Sequence, residues 1–322
     1  MSISPVAHAP SIENTTQKPA NMRTISWGDL TWVDITNPAS ELKNYLAQHY
    51  DFHPLDLDDC FSGMQLSKLD EYQKYIFILL HFPLYQKARR KGTSLQWSAF
   101  IGDNFLVTLH PSDLSSIGEI IHECDASEET KREYFSHGSG YLMYLILDRV
   151  VDAYFPVLDN ISGELDDLEE SVFDEEIEAA KGISILRQDI LTQRRVMFPT
   201  RRLLAEMENK LKRFSKMDIS VYYGDLMDHM NKICETLDEF RDTVEVFKDA
   251  DYVLSGYRAN RLIRTIAVML AIGLPCIIVF SIYLILPSSV SKGSLGTFIV
   301  LMVTMAAIVS IILFAMKKKR LI

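Results

Sequence analysis

Cysteine is scarce in this sequence and never paired: Cys60, Cys124, Cys234 and Cys276 stand alone, with no CxxC spacing. That excludes a zinc ribbon or a disulfide framework, and the four read as reduced thiols. Basic excess is also missing. The formal net charge is −10, from 33 lysines and arginines against 43 aspartates and glutamates. Such a balance argues against nucleic acid as a partner and points towards cations. There is no phosphate loop, no HExxH helix and no nucleophile elbow, so neither an enzyme nor a required cofactor is expected. Without an ATP site, any transport must run on the membrane potential or a coupled gradient. The N-terminus has no charged segment leading into an apolar stretch, and no signal peptide is expected.

Charge disappears altogether from two runs near the C-terminus. Residues 265–286, TIAVMLAIGLPCIIVFSIYLIL, and 295–316, LGTFIVLMVTMAAIVSIILFAM, contain none. A hydrocarbon core of about 30 Å needs roughly 20 apolar helical residues, and both runs are long enough. Two transmembrane helices are therefore expected. Arg258, Arg261 and Arg264 precede the first, Lys317, Lys318, Lys319 and Arg320 follow the second, and Lys292 is the one cation of the connecting loop. The positive-inside rule then puts both termini in the cytoplasm of a plasma (bacterial inner) membrane, in contact with lipid, with the loop outside.

The remainder divides by pattern. Residues 1–24, rich in Ser, Pro, Ala, Asn and Thr, read as a disordered tail. Residues 25–136 alternate strand and helix signals and form an α/β cytoplasmic domain. LTWVDI, KYIFILLHFPLY and LQWSAFIGDNFLVTLH are expected strands, the last folding into a hairpin across Gly102-Asp103. Residues 137–216 are expected to form two antiparallel helices, the first unbroken through Leu168 and the second over 176–213. A stalk helix, 217–286, runs into the first membrane span. At about 1.5 Å per residue it would reach on the order of 100 Å, and so it needs neighbours, which predicts other subunits around it. The loop is 287–294, the second span 295–316 and the basic terminus 317–322. The acidic run from Glu164 to Glu178 reads either as a solvated helix tip or as an electrostatic collector for cations.

At this point the chain resembles the CorA family of divalent-cation (Mg²⁺/Zn²⁺) transporters. The likeness runs through WVDITNP (32–38), HPLDLDDC (53–60), KLDEYQKYIFIL (68–79), the two long helices, YYGDLMDHM (222–230) and the terminal KKKR. It implies a funnel-shaped homopentamer whose first transmembrane helices line a pore, closed on the cytoplasmic side by a ring of Lys317, Lys318, Lys319 and Arg320. One motif departs. The family carries Tyr-Gly-Met-Asn at the outer end of the pore helix, whereas Tyr283 here is followed by Leu284, Ile285 and Leu286. Apolar side chains cannot hold a hydrated Mg²⁺, which keeps its waters and needs polar oxygens around them. In lacking the filter the chain is similar to CmaX-type members. Lys292, repeated in a pentamer, would set about five positive charges near the mouth and repel divalent cations; ordinary headgroup contact is its simpler role.

Along the pore helix the resemblance and the helical spacing together mark Asn260, Ile263, Ala267, Leu270, Leu274, Ile277 and Ser281 as pore-lining, with Asn260 the candidate polar constriction. Asp249 falls on the same face about three turns earlier and is expected at the inner vestibule. The family also pairs an acid of its HPL segment with the first acid of the next subunit's stalk to bind regulatory Mg²⁺ or another divalent cation. The matching residues are Asp59, with Asp58 beside it, and Asp225. His229 reads as an interface residue. These features favour passive ion conduction, divalent by family default. The lost filter keeps a non-selective or anion-permeable, tension-gated channel open as a second reading, and a non-conducting membrane sensor or scaffold as a third.

Overall fold

The computed structural model describes residues 21–63, 65–84, 93–173, 179–285 and 295–318. The chain divides into two units, Met1–Phe247 and Lys248–Ile322. In the first, the described strands are β1 (Met22–Trp27), β2 (Leu30–Thr36), β3 (Lys68–Glu71), β4 (Tyr75–Leu84), β5 (Thr93–Gly102) and β6 (Phe105–His110). They form one sheet in the order β1-β2-β6-β5-β4-β3. Only β2 and β6 run parallel; every other neighbouring pair is antiparallel.

Both faces of this sheet are covered, which is why β4 and β6 read as nearly unbroken apolar runs. On one face Val33, Ile35, Phe77, Leu79, Phe100, Val107 and Leu109 pack with Leu42 and Leu46 of α1 (Ser40–His49) and Leu57 and Cys60 of α2 (Pro54–Phe61). Alternation sends Trp32, Ile76, Ile78, Leu80, Trp97, Ile101 and Leu106 to the other face, and all are almost fully buried. Helices α5 (Ser139–Asp152) and α7 (Ala180–Leu211) pack against that side of the sheet. Between these stand α3 (Ser115–Ala126), α4 (Glu128–Ser136) and α6 (Phe155–Phe173). Local chemistry starts two of the shorter helices. Pro54 sits in the first turn of α2 with His53 Nδ1 accepting from Leu55 N at 3.3 Å. Ser127 Oγ caps α4 by accepting from Thr130 N at 3.2 Å.

Several expectations shift. The first strand begins at Met22, so residues 22–24 of the expected tail are strand. The β5–β6 hairpin forms, but Ile101 pairs with Leu106 and the two loop residues are Asp103 and Asn104, one place later than expected. The cause is Phe105: a Cβ on Gly102 would lie 2.4 Å from its ring, so glycine is kept there as a strand residue beneath an aromatic. The helix expected to run unbroken through Leu168 stops at Asp152 and restarts at Phe155. Pro156 follows the break; it has no N–H, and its ring would strike the carbonyl four residues back in a continuous helix. Strands β1 and β3 and helices α2 and α4 are additions.

α8 (Ser220–Ile285) contributes to both units as one 66-residue helix, starting three residues after the expected 217. In the first unit it is tied to α7 by ion pairs of Arg187 with Glu245 and Arg194 with Asp238. In the second unit several of its apolar residues, among them Ile263, Leu270, Leu274 and Ile277, are more than half exposed in the single chain. Among the described residues it alone is long and apolar enough to cross a membrane, with none of its apolar window buried. α9 (Leu295–Lys318) follows; its described apolar stretch, Met302–Ile312, is shorter.

Candidate metal centre

Two helices of the first unit each carry an acid and a second ligand one turn on: Asp148 and Asp152 on α5, Asp225 and His229 on α8. The four-residue spacing puts each pair on one helix face. Asp148, Asp225 and His229 each bring a ligand atom into a group whose members lie within 4.8 Å of one another. His229 Nε2 is 4.0 Å from Asp225 Oδ1. Its Nδ1 is 2.8 Å from Asp152 Oδ1 without the alignment of a hydrogen bond. The ring also stands edge-on to Phe155. Asp148 Oδ1 is buried and has no hydrogen-bond partner.

A buried carboxylate oxygen with no donor is costly, and here the charges compound it. Burial first, then the neighbouring Asp152 and Asp225 carboxylates, push the Asp148 carboxyl above its usual range. A divalent cation would satisfy the orphaned oxygen and cancel the mutual repulsion. The donor set of carboxylates with one imidazole can hold Mg²⁺ through retained waters, but the imidazole favours Mn²⁺, Co²⁺, Ni²⁺ or Zn²⁺.

The chain matches the family described as CorA-like Mg²⁺ transporter protein over residues 27–319. It belongs to the CorA family. It is 29% identical to YfjQ of Bacillus subtilis, over 78% of this chain and 77% of that protein. It is 25% identical to the cobalt/magnesium transport protein CorA of Thermotoga maritima, over 79% and 72%. The CorA magnesium transporter of Methanocaldococcus jannaschii superposes with a TM-score of 0.73 at 21% identity, covering 91% of this chain and 92% of that one. The full-length CmaX structure gives 0.71 at 14%, covering 90% and 88%. These likenesses extend the CorA fold over most of the chain.

Asp225 meets Asp148 and His229 of its own chain, and His229 joins it rather than serving packing alone. Asp59 has a separate partner, Lys68, whose Nζ lies 2.8 Å away. That ammonium also reaches Asp70 at 2.6 Å and the buried Asp56 at 3.5 Å. Asp58 pairs with Lys43. Within one chain, then, Asp58 and Asp59 are engaged by lysines and Asp225 by the α5–α8 cluster. Asp148 and Asp152 escaped the sequence reading, although the DxxxD and DxxxH spacings of the two helices were the available signal.

Asp249, Asn260, Ile263, Ala267, Leu270, Leu274, Ile277 and Ser281 all lie on α8 in the second unit. From Asn260 on, alternating steps of three and four set them along one stripe, Asp249 lies eleven residues earlier, and each is exposed in the single chain. Tyr283, Leu284 and Ile285 end α8, and Lys317 and Lys318 end α9. Leu286, Lys292, Lys319 and Arg320 lie outside the described residues, as does the 174–178 part of the acidic run.

The cluster predicts a metal-dependent stability. At a free concentration of 100 times Kd, a site of this kind stabilises by about 2.7 kcal/mol. Thermal unfolding of the full chain should therefore shift upward with Co²⁺ or Zn²⁺. Because Asp148 holds its proton to higher pH than an ordinary aspartate, the metal-free cluster loses stability as pH rises through that raised value. The metal-induced gain grows over the same window. His229→Ala should abolish the Co²⁺ shift and spare most of any Mg²⁺ shift, and Asp148→Asn should reduce both. Unchanged Co²⁺ shifts in both variants would remove these residues as ligands.

Proposed function

We propose that this protein carries metal ions passively across a membrane as a homopentamer, with the apolar half of α8 lining a central pore and α9 packed outside it. The observation that carries this reading is the CorA family match over residues 27–319, which takes in α8 with its long, exposed apolar segment. An exposed stripe from Asn260 to Ser281 would be untenable in water; in an assembly it faces its own copies, and the rest of the segment faces lipid. The basic flanks of the two apolar runs support an orientation with both termini in the cytoplasm and residues 287–294 outside. The relatives are named as transporters of magnesium and cobalt, which points to these ions as cargo. The α5–α8 cluster would then bind the same class of ion as a cytoplasmic regulator, stabilising the assembly when loaded and loosening it when empty.

One observation favours a second reading. Leu284-Ile285-Leu286 stands where the resemblance expects Gly-Met-Asn, and a pore without that filter has no evident means to select hydrated Mg²⁺. A non-selective or anion-permeable pore, gated by dewetting of the apolar stripe, follows from the same fold. Liposomes holding the full chain separate the two under ion replacement. Reversal potentials that follow the divalent gradient support the first reading; potentials that follow Cl⁻ overturn it. Loss of all flux, with metal still stabilising the oligomer, would leave a sensor. Replacing Leu284, Ile285 and Leu286 by Gly, Met and Asn is expected to raise Mg²⁺ uptake without restoring full selectivity, because Lys292 remains. Complete selectivity in the triple variant would show that Lys292 plays no part.

A further inference from the structure

On the sheet face turned away from α1 and α2, β2 and β6 bury a directed chain of polar groups. Trp32 Nε1 donates to Thr108 Oγ1 at 2.9 Å, and Thr108 Oγ1 donates to Asp34 Oδ1. His110 Nε2 lies 3.1 Å and 3.3 Å from the two Asp34 oxygens, while its Nδ1 lies 2.9 Å from the Pro111 carbonyl. The relative exposures of Asp34, Thr108 and His110 are 2%, 0% and 3%. Asp34 pairs with Thr108 and Thr36 with His110 in the parallel register, so the contact joins the two strands diagonally.

The protonation state follows from the acceptors. With Asp34 ionised, both ring nitrogens face an oxygen that can only accept. A neutral imidazole has a single N–H, so either tautomer would set a nitrogen lone pair against the carboxylate or against the carbonyl. Only the imidazolium satisfies both contacts. We propose that Asp34 and His110 form a proton-operated clasp, which ties β2 to β6 while the ring is charged and loosens that strand pair when the ring proton leaves.

Among the described residues, Asp34 is the one charged group acting on the ring. β1 offers Arg23 opposite Asp34, but it is exposed and makes no ion pair there. β5 brings Trp97, Ser98 and Ala99 beside β6, and the charged residues of α5, which packs on β5 and β6, are engaged elsewhere: Asp148 and Asp152 with Asp225 and His229, and Arg149 with Glu123. Burial pulls His110 down, yet the Asp34 carboxylate and the Pro111 carbonyl more than offset it, and the ring holds its proton above the ordinary 6.5. The sign is that of a raised folded value. The clasp contributes fully below the unfolded value of about 6.5 and is lost as pH rises through the folded one.

Hydrogen–deuterium exchange of the full chain in lipid nanodiscs tests this, after correction for the intrinsic pH dependence of exchange. Wild-type amides of β2 and β6 should hold their protection near neutral pH. They should then lose about tenfold per pH unit above the folded value, while β3 and β4 stay constant. In His110→Asn the protection of β2 and β6 should be lower and flat with pH. Wild-type protection unchanged from about pH 7 to about pH 10 would overturn the clasp, a result that stands even if the variant fails to fold. Equal loss across all strands would also overturn it, since a global effect needs no clasp.

Discussion

Alanine at Gly138 is expected to destabilise the N-terminal unit by about 2–5 kcal/mol, the sum of overpacking and a left-handed backbone. Gly138 precedes α5 with φ of +94°, and a Cβ there would lie 2.6 Å from the Phe214 carbonyl oxygen. Two residues on, a Cβ at Gly140 would meet the Leu211 carbonyl oxygen at 2.7 Å. Backbone cannot swing aside as a side chain can. The contact is held from both sides, because Lys216 N donates to His137 O at 2.8 Å and Ser139 Oγ donates to the Gly102 carbonyl. Gly118, within α3, supplies the control: nothing lies within 4 Å of its would-be Cβ. There alanine should stabilise by about 0.5–1 kcal/mol through helix propensity. Denaturant unfolding followed by tryptophan fluorescence reads both. Similar effects at the two positions would refute close approach as the reason for glycine at 138.

Lys68→Met should cost about 2–4 kcal/mol, less than the 3–5 typical of a broken buried pair because the site is partly wet. The Lys68 ammonium is the shared partner of Asp59, Asp70 and the buried Asp56. Burial works against its charge, but hydrogen bonds to Asp59 and Asp70 win and hold it well above the ordinary lysine range. Asp56 in turn keeps its proton above the usual carboxylate range, burial being the main cause, and accepts from Tyr75 Oη at 3.4 Å. Methionine keeps most of the aliphatic stem and removes the cation, together with its contact over the Phe77 ring at 5.1 Å. The variant leaves three carboxylates facing one another, so added Mg²⁺ should recover part of the loss. A melt as stable as wild type without metal would mean the carboxylates have other support.

Where periodicity was strong, the sequence reading and the fold agree. YIFILLHFPL and FLVTLH are β4 and β6, and α8 runs from near the expected start through the expected membrane segment. Its weakest readings were short or polar elements. β3 is four residues of KLDE, and α4 buries only Phe135, so neither leaves an apolar period to detect. The metal cluster is harder for another reason. Asp148 sits on a helix whose neighbours are core residues, and nothing local separates it from a surface acid. It becomes a candidate ligand only when α5 docks beside α8. Asp34 and His110 fail likewise, since a charge inside an apolar strand announces a partner without naming it.

The ion pairs between α7 and α8 hold a different kind of information. Arg187 meets Glu245 and Arg194 meets Asp238, each helix stepping by seven residues in opposite directions. Seven residues further on, Arg201 reaches the level of Asn231 and instead faces the Phe198 ring at 5.2 Å. Sliding α8 by one heptad, about 10 Å, would pair Arg201 with Asp238 and Arg194 with Glu245, again two ion pairs. Charge therefore writes the same message at two registers and cannot choose between them. The choice falls to shape, through Cys234, Leu237, Val244 and their buried neighbours; a repeat of this kind behaves as a ruler with two equivalent marks, read by the core alone.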